Sequence, residues 1–270
     1  MKDSTIKTET TTVGLLQRCV EEHPERMFLD LAGETHSYAE VWARSCDAAS
    51  MLHAAGIRRG QTVVSLQDTQ IDGIASWFGA NMLGAIWVGV NTALRGEFLR
   101  HVITDTGARV VIAEADLVDR IRAISSQLPS VDLVLQRGGD APEPDSSLRI
   151  ERLAGRPRTA DITPHVGTAE DLTCLTYTGG TTGPSKGCMI SANYITHLAR
   201  LKLRFNPATE DDVTFTPLPL FHLNAICSGV TSTILVGGKI SITLRFSVSN
   251  FWPEVERRGA TNASILGSMG

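Results

Sequence analysis

The chain has little of what usually announces a specialised role. Aromatic residues are 6% and charged residues 20% of its 270 positions, and the formal net charge is −4. No basic field exists to neutralise phosphates along a polymer, which argues against electrostatically driven nucleic-acid binding. The five cysteines (19, 46, 174, 188, 227) are odd in number and far apart, with no C-x-x-C pair. That argues against a disulfide scaffold and a zinc site, and fits a reducing cytoplasm. Cys188 reads as a small buried apolar residue more readily than as a reactive thiol. The seven histidines show no ligand spacing. The polar N-terminus has no apolar core of a signal peptide. No run reaches the ~18 apolar residues of a membrane span; the best candidate, 226–236, is short and broken by Ser and Thr.

What the chain does have is a 42% hydrophobic content in alternating short patterns. Continuous apolar runs at 63–66, 86–90, 110–113 and 133–135 read as buried strands. Amphipathic stretches at 13–22, 38–55, 72–83, 97–104 and 116–127 read as helices. Further strands are expected at 172–176, 213–216, 239–244 and 263–266, and further helices at 191–203, 225–235 and 251–258. This rhythm predicts an α/β fold of mainly parallel sheet flanked by helices. Ser37 with Glu40 three residues on is a capping box opening the second helix. Segments 138–147 and 156–170 are polar linkers by composition.

Residues 177–187 read Tyr-Thr-Gly-Gly-Thr-Thr-Gly-Pro-Ser-Lys-Gly. A Gly/Thr loop between a strand and the helix expected at 191–203 turns N–H groups and hydroxyls toward one point. A terminal lysine adds a full positive charge, so the run predicts an anion cradle. A Walker A loop is excluded by spacing, because Ser185 precedes Lys186 and Gly187 follows it.

The run resembles the phosphate-binding signature of the adenylate-forming enzymes: acyl- and aryl-CoA synthetases, peptide-synthetase adenylation domains and luciferases. The usual form is Y-T-S-G-T-T-G-x-P-K-G. Here Gly179 stands where serine is usual, and Pro184-Ser185 where x-Pro is usual. Three more segments carry the resemblance. Ser37-Tyr38-Ala39-Glu40 is similar to the family's T-Y-x-E. Residues 83–91 are similar to L-G-A-x-x-x-P-x-N, with Gly89 in place of Pro. Pro219-Leu220-Phe221-His222 is similar to the P-L-F-H segment that opens the acyl pocket. Phe251-Trp252 and the residues after it faintly resemble the carnitine and crotonobetaine CoA-ligase branch, although Trp252 reads as core packing.

The resemblance implies two interleaved lobes, one over 57–204 and a second, incomplete one from 1–56 plus 205–270, with the C-terminal domain absent. It implies activation of a carboxylic acid by ATP as an acyl-adenylate, then transfer to the thiol of coenzyme A, with Mg²⁺ assisting. The alternatives are an adenylation domain that loads a carrier protein, and a truncated, non-catalytic nucleotide-binding relative. Thr178, Gly179, Gly180, Thr181, Thr182, Gly183 and Lys186 are implied to hold the ATP phosphates, with Thr178 near the metal. Lys186 and His222 are the implied catalytic residues, His222 at the edge of the acyl pocket. Amino-acid-activating members carry Asp after that Phe, so His222 implies an acid without an α-amine. An unfinished second sheet implies self-association through unpaired edges.

Overall fold

Helix α1 (Thr12–Glu22) starts at Thr11, whose hydroxyl accepts from the Gly14 N–H at 3.1 Å. A computed structural model describes residues 11–156, 162–178, 184–243 and 246–266. Strands β1 (Met27–Leu31) and β2 (Glu34–Ser37) pair as a hairpin turned by Ala32 and Gly33. Helix α2 (Tyr38–Ala54) opens on the expected capping box. The Glu40 N–H donates to Ser37 Oγ at 3.2 Å, and the Ser37 N–H to Glu40 Oε2 at 2.8 Å. Three strand–helix units follow: β3 (Thr62–Leu66) with α3 (Ile71–Met82), β4 (Ile86–Gly89) with α4 (Gly96–Asp105), and β5 (Val110–Glu114) with α5 (Val118–Arg122). Next come β6 (Leu133–Arg137), β7 (Ile150–Arg152), β8 (Leu172–Thr178), β9 (Lys186–Ser191) and α6 (Ala192–Phe205). The chain continues through β10 (Val213–Thr216), a π-helical turn (Ala225–Thr231), α7 (Ser232–Val236), β11 (Lys239–Ile242), α8 (Phe251–Arg257) and β12 (Asn262–Ala263).

Among the described residues these strands form two sheets. The seven-stranded sheet runs β7-β6-β5-β3-β4-β8-β9, parallel except for the β8–β9 pair. The five-stranded sheet runs β12-β10-β11-β1-β2, parallel except for β1–β2. Their central strands are almost wholly buried because both faces are covered. One face of the larger sheet meets α4 and α5, where Leu99, Val102, Ile103 and Ile121 pack against Val64, Val88 and Val111. A second cluster joins Leu15, Leu16, Trp77, Phe78, Ile234 and Ile240, and so links both sheets through the helices between them. Helix α3 is buried on every side, as its apolar circumference requires. It crosses α2 so closely that a Cβ on Gly79 would stand 2.8 Å from Ala48 Cβ.

Helix α8 is tied to the smaller sheet by a buried charge pair. Arg258 Nη1 donates to Asp30 Oδ1 at 3.1 Å, and Ser241 Oγ donates to Asp30 Oδ2 at 3.0 Å. Phe251 packs edge-on against Phe215 at 5.6 Å. Trp252 is 72% exposed, so the core role expected for it falls to Phe251 instead.

Several elements differ from the sequence reading. The β1–β2 hairpin, β7 and β9 are additional strands. The helix expected over 116–127 is three short pieces, Ala115–Leu117, α5 and Ser125–Gln127. Pro129 ends the last piece, because it disfavours helical backbone at Leu128, found at φ −116°, ψ 64°. The strand expected at 263–266 is the two-residue β12. The one expected at 239–244 ends at Ile242, with position 244 outside the described residues.

Candidate active site

The glycine/threonine run is flanked by two strands, not by a strand and a helix. Strands β8 and β9 pair antiparallel with Thr178 opposite Lys186, Tyr177 opposite Gly187 and Thr176 opposite Cys188. Helix α6 begins only at Ala192, capped by Ser191, whose Oγ accepts from the Tyr194 N–H at 3.3 Å. The strand-to-helix setting is therefore corrected: the helix N-terminus lies beyond β9 and does not open onto the loop. Gly-Cys-Met-Ile after the lysine forms strand because it completes the edge of the sheet. Of the residues expected to meet phosphate, Gly179, Gly180, Thr181, Thr182 and Gly183 lie outside the described residues. Thr178 and Lys186 are both exposed, and they face each other across the base of the loop.

That base is braced by α4. The Tyr177 hydroxyl donates to Asp105 Oδ2 at 2.6 Å. Burial first, and then the Asp105 carboxylate, push the Tyr177 phenol well above its ordinary value, so it stays protonated. His101 Nε2 lies 2.8 Å from the Ser185 carbonyl oxygen. The His101 and Tyr177 rings meet edge-on at 6.4 Å. The Tyr177 ring also covers Gly187, where a Cβ would stand 3.1 Å from its hydroxyl and Cζ.

The turn that bears His222 comes to the same end of the sheet. Strand β4 lies beside β8, with Val88 opposite Leu175. At the carboxyl end of β4, a Cβ on Gly89 would stand 3.1 Å from Phe221 Cα. The turn is also fastened to the loop after β3, where the Leu220 N–H donates to Thr69 Oγ1 at 3.2 Å. The carboxyl ends of parallel strands are where open α/β sheets bind ligands. His222 itself leads into the π-helical turn, its carbonyl accepting from the Ala225 N–H at 3.0 Å. Its side chain is exposed and meets the Phe221 ring at a tilt, 4.6 Å between centroids, so it is not a packed core histidine. Partial desolvation holds its imidazole below the ordinary histidine value.

Cys188 is exposed, which overturns the buried reading of that residue. All five cysteines are free. Among the described residues no cluster of three His, Cys, Asp or Glu side chains forms a metal site, and no helix is long and apolar enough to cross a membrane. His101 and Asp105 were not singled out from the sequence. Their signal is the four-residue spacing on a helix whose apolar stripe is Leu99, Val102 and Ile103.

The chain belongs to the AMP-binding enzyme family, which it matches over residues 16–269. It is 27% identical over 252 residues to long-chain fatty acid transport protein 6 of Homo sapiens, covering 92% of this chain and 40% of that protein. It is 28% identical over 257 residues to 4-coumarate–CoA ligase 5 of Oryza sativa subsp. japonica, covering 93% and 46%. Among solved structures, an anthranilate CoA ligase in complex with anthranoyl-AMP superposes with a TM-score of 0.85 at 24% identity, covering 97% of this chain and 51% of that one. The chain thus spans less than half the length of the two curated relatives.

Proposed function

We propose that this chain is the phosphate- and acid-binding portion of an ATP-dependent acid–CoA ligase. The observation that carries the reading is the placement of Thr178 opposite Lys186 at the carboxyl end of the sheet, beside the turn that bears His222. In this reading a carboxylate oxygen attacks the α-phosphorus of ATP and pyrophosphate departs, leaving an acyl-adenylate. The thiol of coenzyme A then attacks the acyl carbon and AMP leaves. Charge gathers on the β- and γ-phosphates as they depart. The Lys186 ammonium, the Thr178 hydroxyl and the N–H groups of 179–183 stabilise it electrostatically. Thr178 would offer its hydroxyl oxygen to Mg²⁺, which would supply further positive charge to the departing phosphates.

His222 edges the acyl pocket in this reading. Desolvation favours its neutral form near pH 7, and a neutral imidazole has no negative charge to pair with an ammonium. The substrate is therefore a carboxylic acid without an α-amine. Residues 57–204 form one lobe and the segments on either side belong to a second. Free cysteines are the support for a cytoplasmic setting. Exposed Met189, Phe205 and Trp252 support self-association.

Calorimetric titration with ATP tests the reading. The chain should bind, and Lys186→Ala should weaken binding by about 1.5–3 kcal/mol, the cost of one hydrogen bond to a charged group. No binding by the parent chain would sink the nucleotide assignment, and equal binding by the two would remove Lys186 from the site.

A further inference from the structure

We infer that α4 grips the loop at its base, with His101 and Asp105 as positioning residues for Thr178 and Lys186. The inference rests on the ATP reading only for what the loop binds; the grip itself is a matter of contacts.

Residues 101 and 105 are four apart on one helix and so share a face. Each reaches a different side of the hairpin. Asp105 accepts from Tyr177, the residue before Thr178 on the outgoing strand, at 2.6 Å. His101 meets the carbonyl of Ser185, the residue before Lys186 on the returning side, at 2.8 Å. A carbonyl only accepts, so the Nε2 atom of His101 carries the hydrogen. Thr178 and Lys186 are opposite one another in register. The two contacts therefore fix the separation and orientation of the pair that brackets the loop.

The other side of α4 is anchored. Leu99, Val102 and Ile103 are 0–1% exposed and pack with Val64, Val88 and Val111 of the sheet. Rigidity thus passes from core to helix and from helix to loop base. Both contacts lie at or near the surface. Each is then worth a typical net hydrogen bond, which fits a role in placing the loop better than one in holding the fold.

Hydrogen exchange and ATP titration on His101→Ala, Tyr177→Phe and His101→Gln test the grip. In the first two variants, amides at 177–178 and 186–188 should exchange about fivefold faster and the Kd for ATP should rise about fivefold, the loss of one net hydrogen bond. Exchange in α2 and α3 should stay as in the parent chain. His101→Gln keeps an N–H donor and should restore both readouts. Unchanged exchange at the strand ends in the alanine and phenylalanine variants would overturn the grip. So would a glutamine variant that behaves like alanine. Faster exchange with unchanged ATP affinity would overturn the positioning role. If the parent chain binds no ATP, the nucleotide reading fails, and the exchange data still decide on the grip.

Discussion

The indole of Trp87 lies across Gly89, so that a Cβ on Gly89 would stand 2.3 Å from the ring's Cη2. On another side the same Cβ would meet Phe221 Cα at 3.1 Å. The glycine is there because the space is full. Trp87 is 3% exposed and packs against Trp77 at 6.2 Å, so the ring has no free direction to move. This position is usually proline in the family that the sequence resembles. Here a bulky neighbour two residues earlier has taken the room.

The first prediction follows from that crowding. Gly89→Ala should destabilise the chain by about 1–3 kcal/mol, the usual cost of overpacking a filled core, and Gly89→Pro by at least as much. In a Trp87→Leu background the alanine should cost markedly less, because the clashing ring is gone. Urea denaturation of the parent, the two single variants and the double variant gives the coupling. Strict additivity would mean that the ring does not oppose the substitution.

A second prediction concerns the β1–β2 turn. Ala32 sits at φ 54° and Gly33 at φ 101°, with the Gly33 N–H donating to Asp30 Oδ1 at 2.8 Å. Left-handed backbone costs an ordinary L-residue roughly 1–2 kcal/mol. Asparagine tolerates it better, and Asn-Gly is the favoured pair in such turns. Ala32→Asn should therefore raise stability by about 1 kcal/mol. A glycine there should gain less, since it adds freedom to the unfolded chain. A lower denaturation midpoint for the asparagine variant would show that the turn is not strained.

The same turn shows where sequence reading succeeds and stops. The buried parallel strands were legible because Val63–Val64, Val110–Val111 and their neighbours form unbroken apolar runs. The capping box at Ser37 and Glu40 was legible because its chemistry is local. Strands β1 and β2 were not, because Ala-Gly lacks the Asn or Asp that marks a tight hairpin. Strand β9 was hidden for another reason. Lys-Gly-Cys-Met-Ile has no period of its own, and it is strand only because β8 offers an edge. The loop itself was the plainest signal in the chain, yet its supports on α4 come from residues more than 70 positions earlier, a distance no local pattern spans.

Cysteine chemistry gives a third prediction. Cys188 is exposed, whereas Cys19, Cys174 and Cys227 are buried and Cys46 is partly covered. Burial pushes the Cys174 thiol up to about 12, and raises those of Cys46 and Cys227 as well. A disulfide reagent should therefore consume one thiol rapidly, and Cys188→Ser should abolish that phase. The buried thiols should react only on unfolding. Two or more fast equivalents in the folded chain would contradict the burial of the others.

The last prediction is one of pH. Asp212 ties the start of β10 to the approach to β12. Thr261 Oγ1 donates to Asp212 Oδ1 at 2.7 Å, and the Thr209 N–H donates to Asp212 Oδ2 at 2.6 Å. The Thr261 hydroxyl first, then the Thr209 amide, hold the Asp212 carboxyl below its ordinary value, against the opposing effect of partial burial. A carboxyl whose folded value is depressed binds its proton more readily in the unfolded chain. Its contribution is therefore complete above the ordinary aspartate value of about 4, and is lost as pH falls through the lower folded value. Asp212→Asn should lose stability relative to the parent chain at about pH 6, and the gap should narrow steadily as the pH is taken from about 5 toward about 3. Denaturant midpoints for the pair across that range provide the measurement. A gap that stays constant with pH would mean that the asparagine acts through altered hydrogen-bond geometry, and that the charge on Asp212 contributes nothing to joining the two strands.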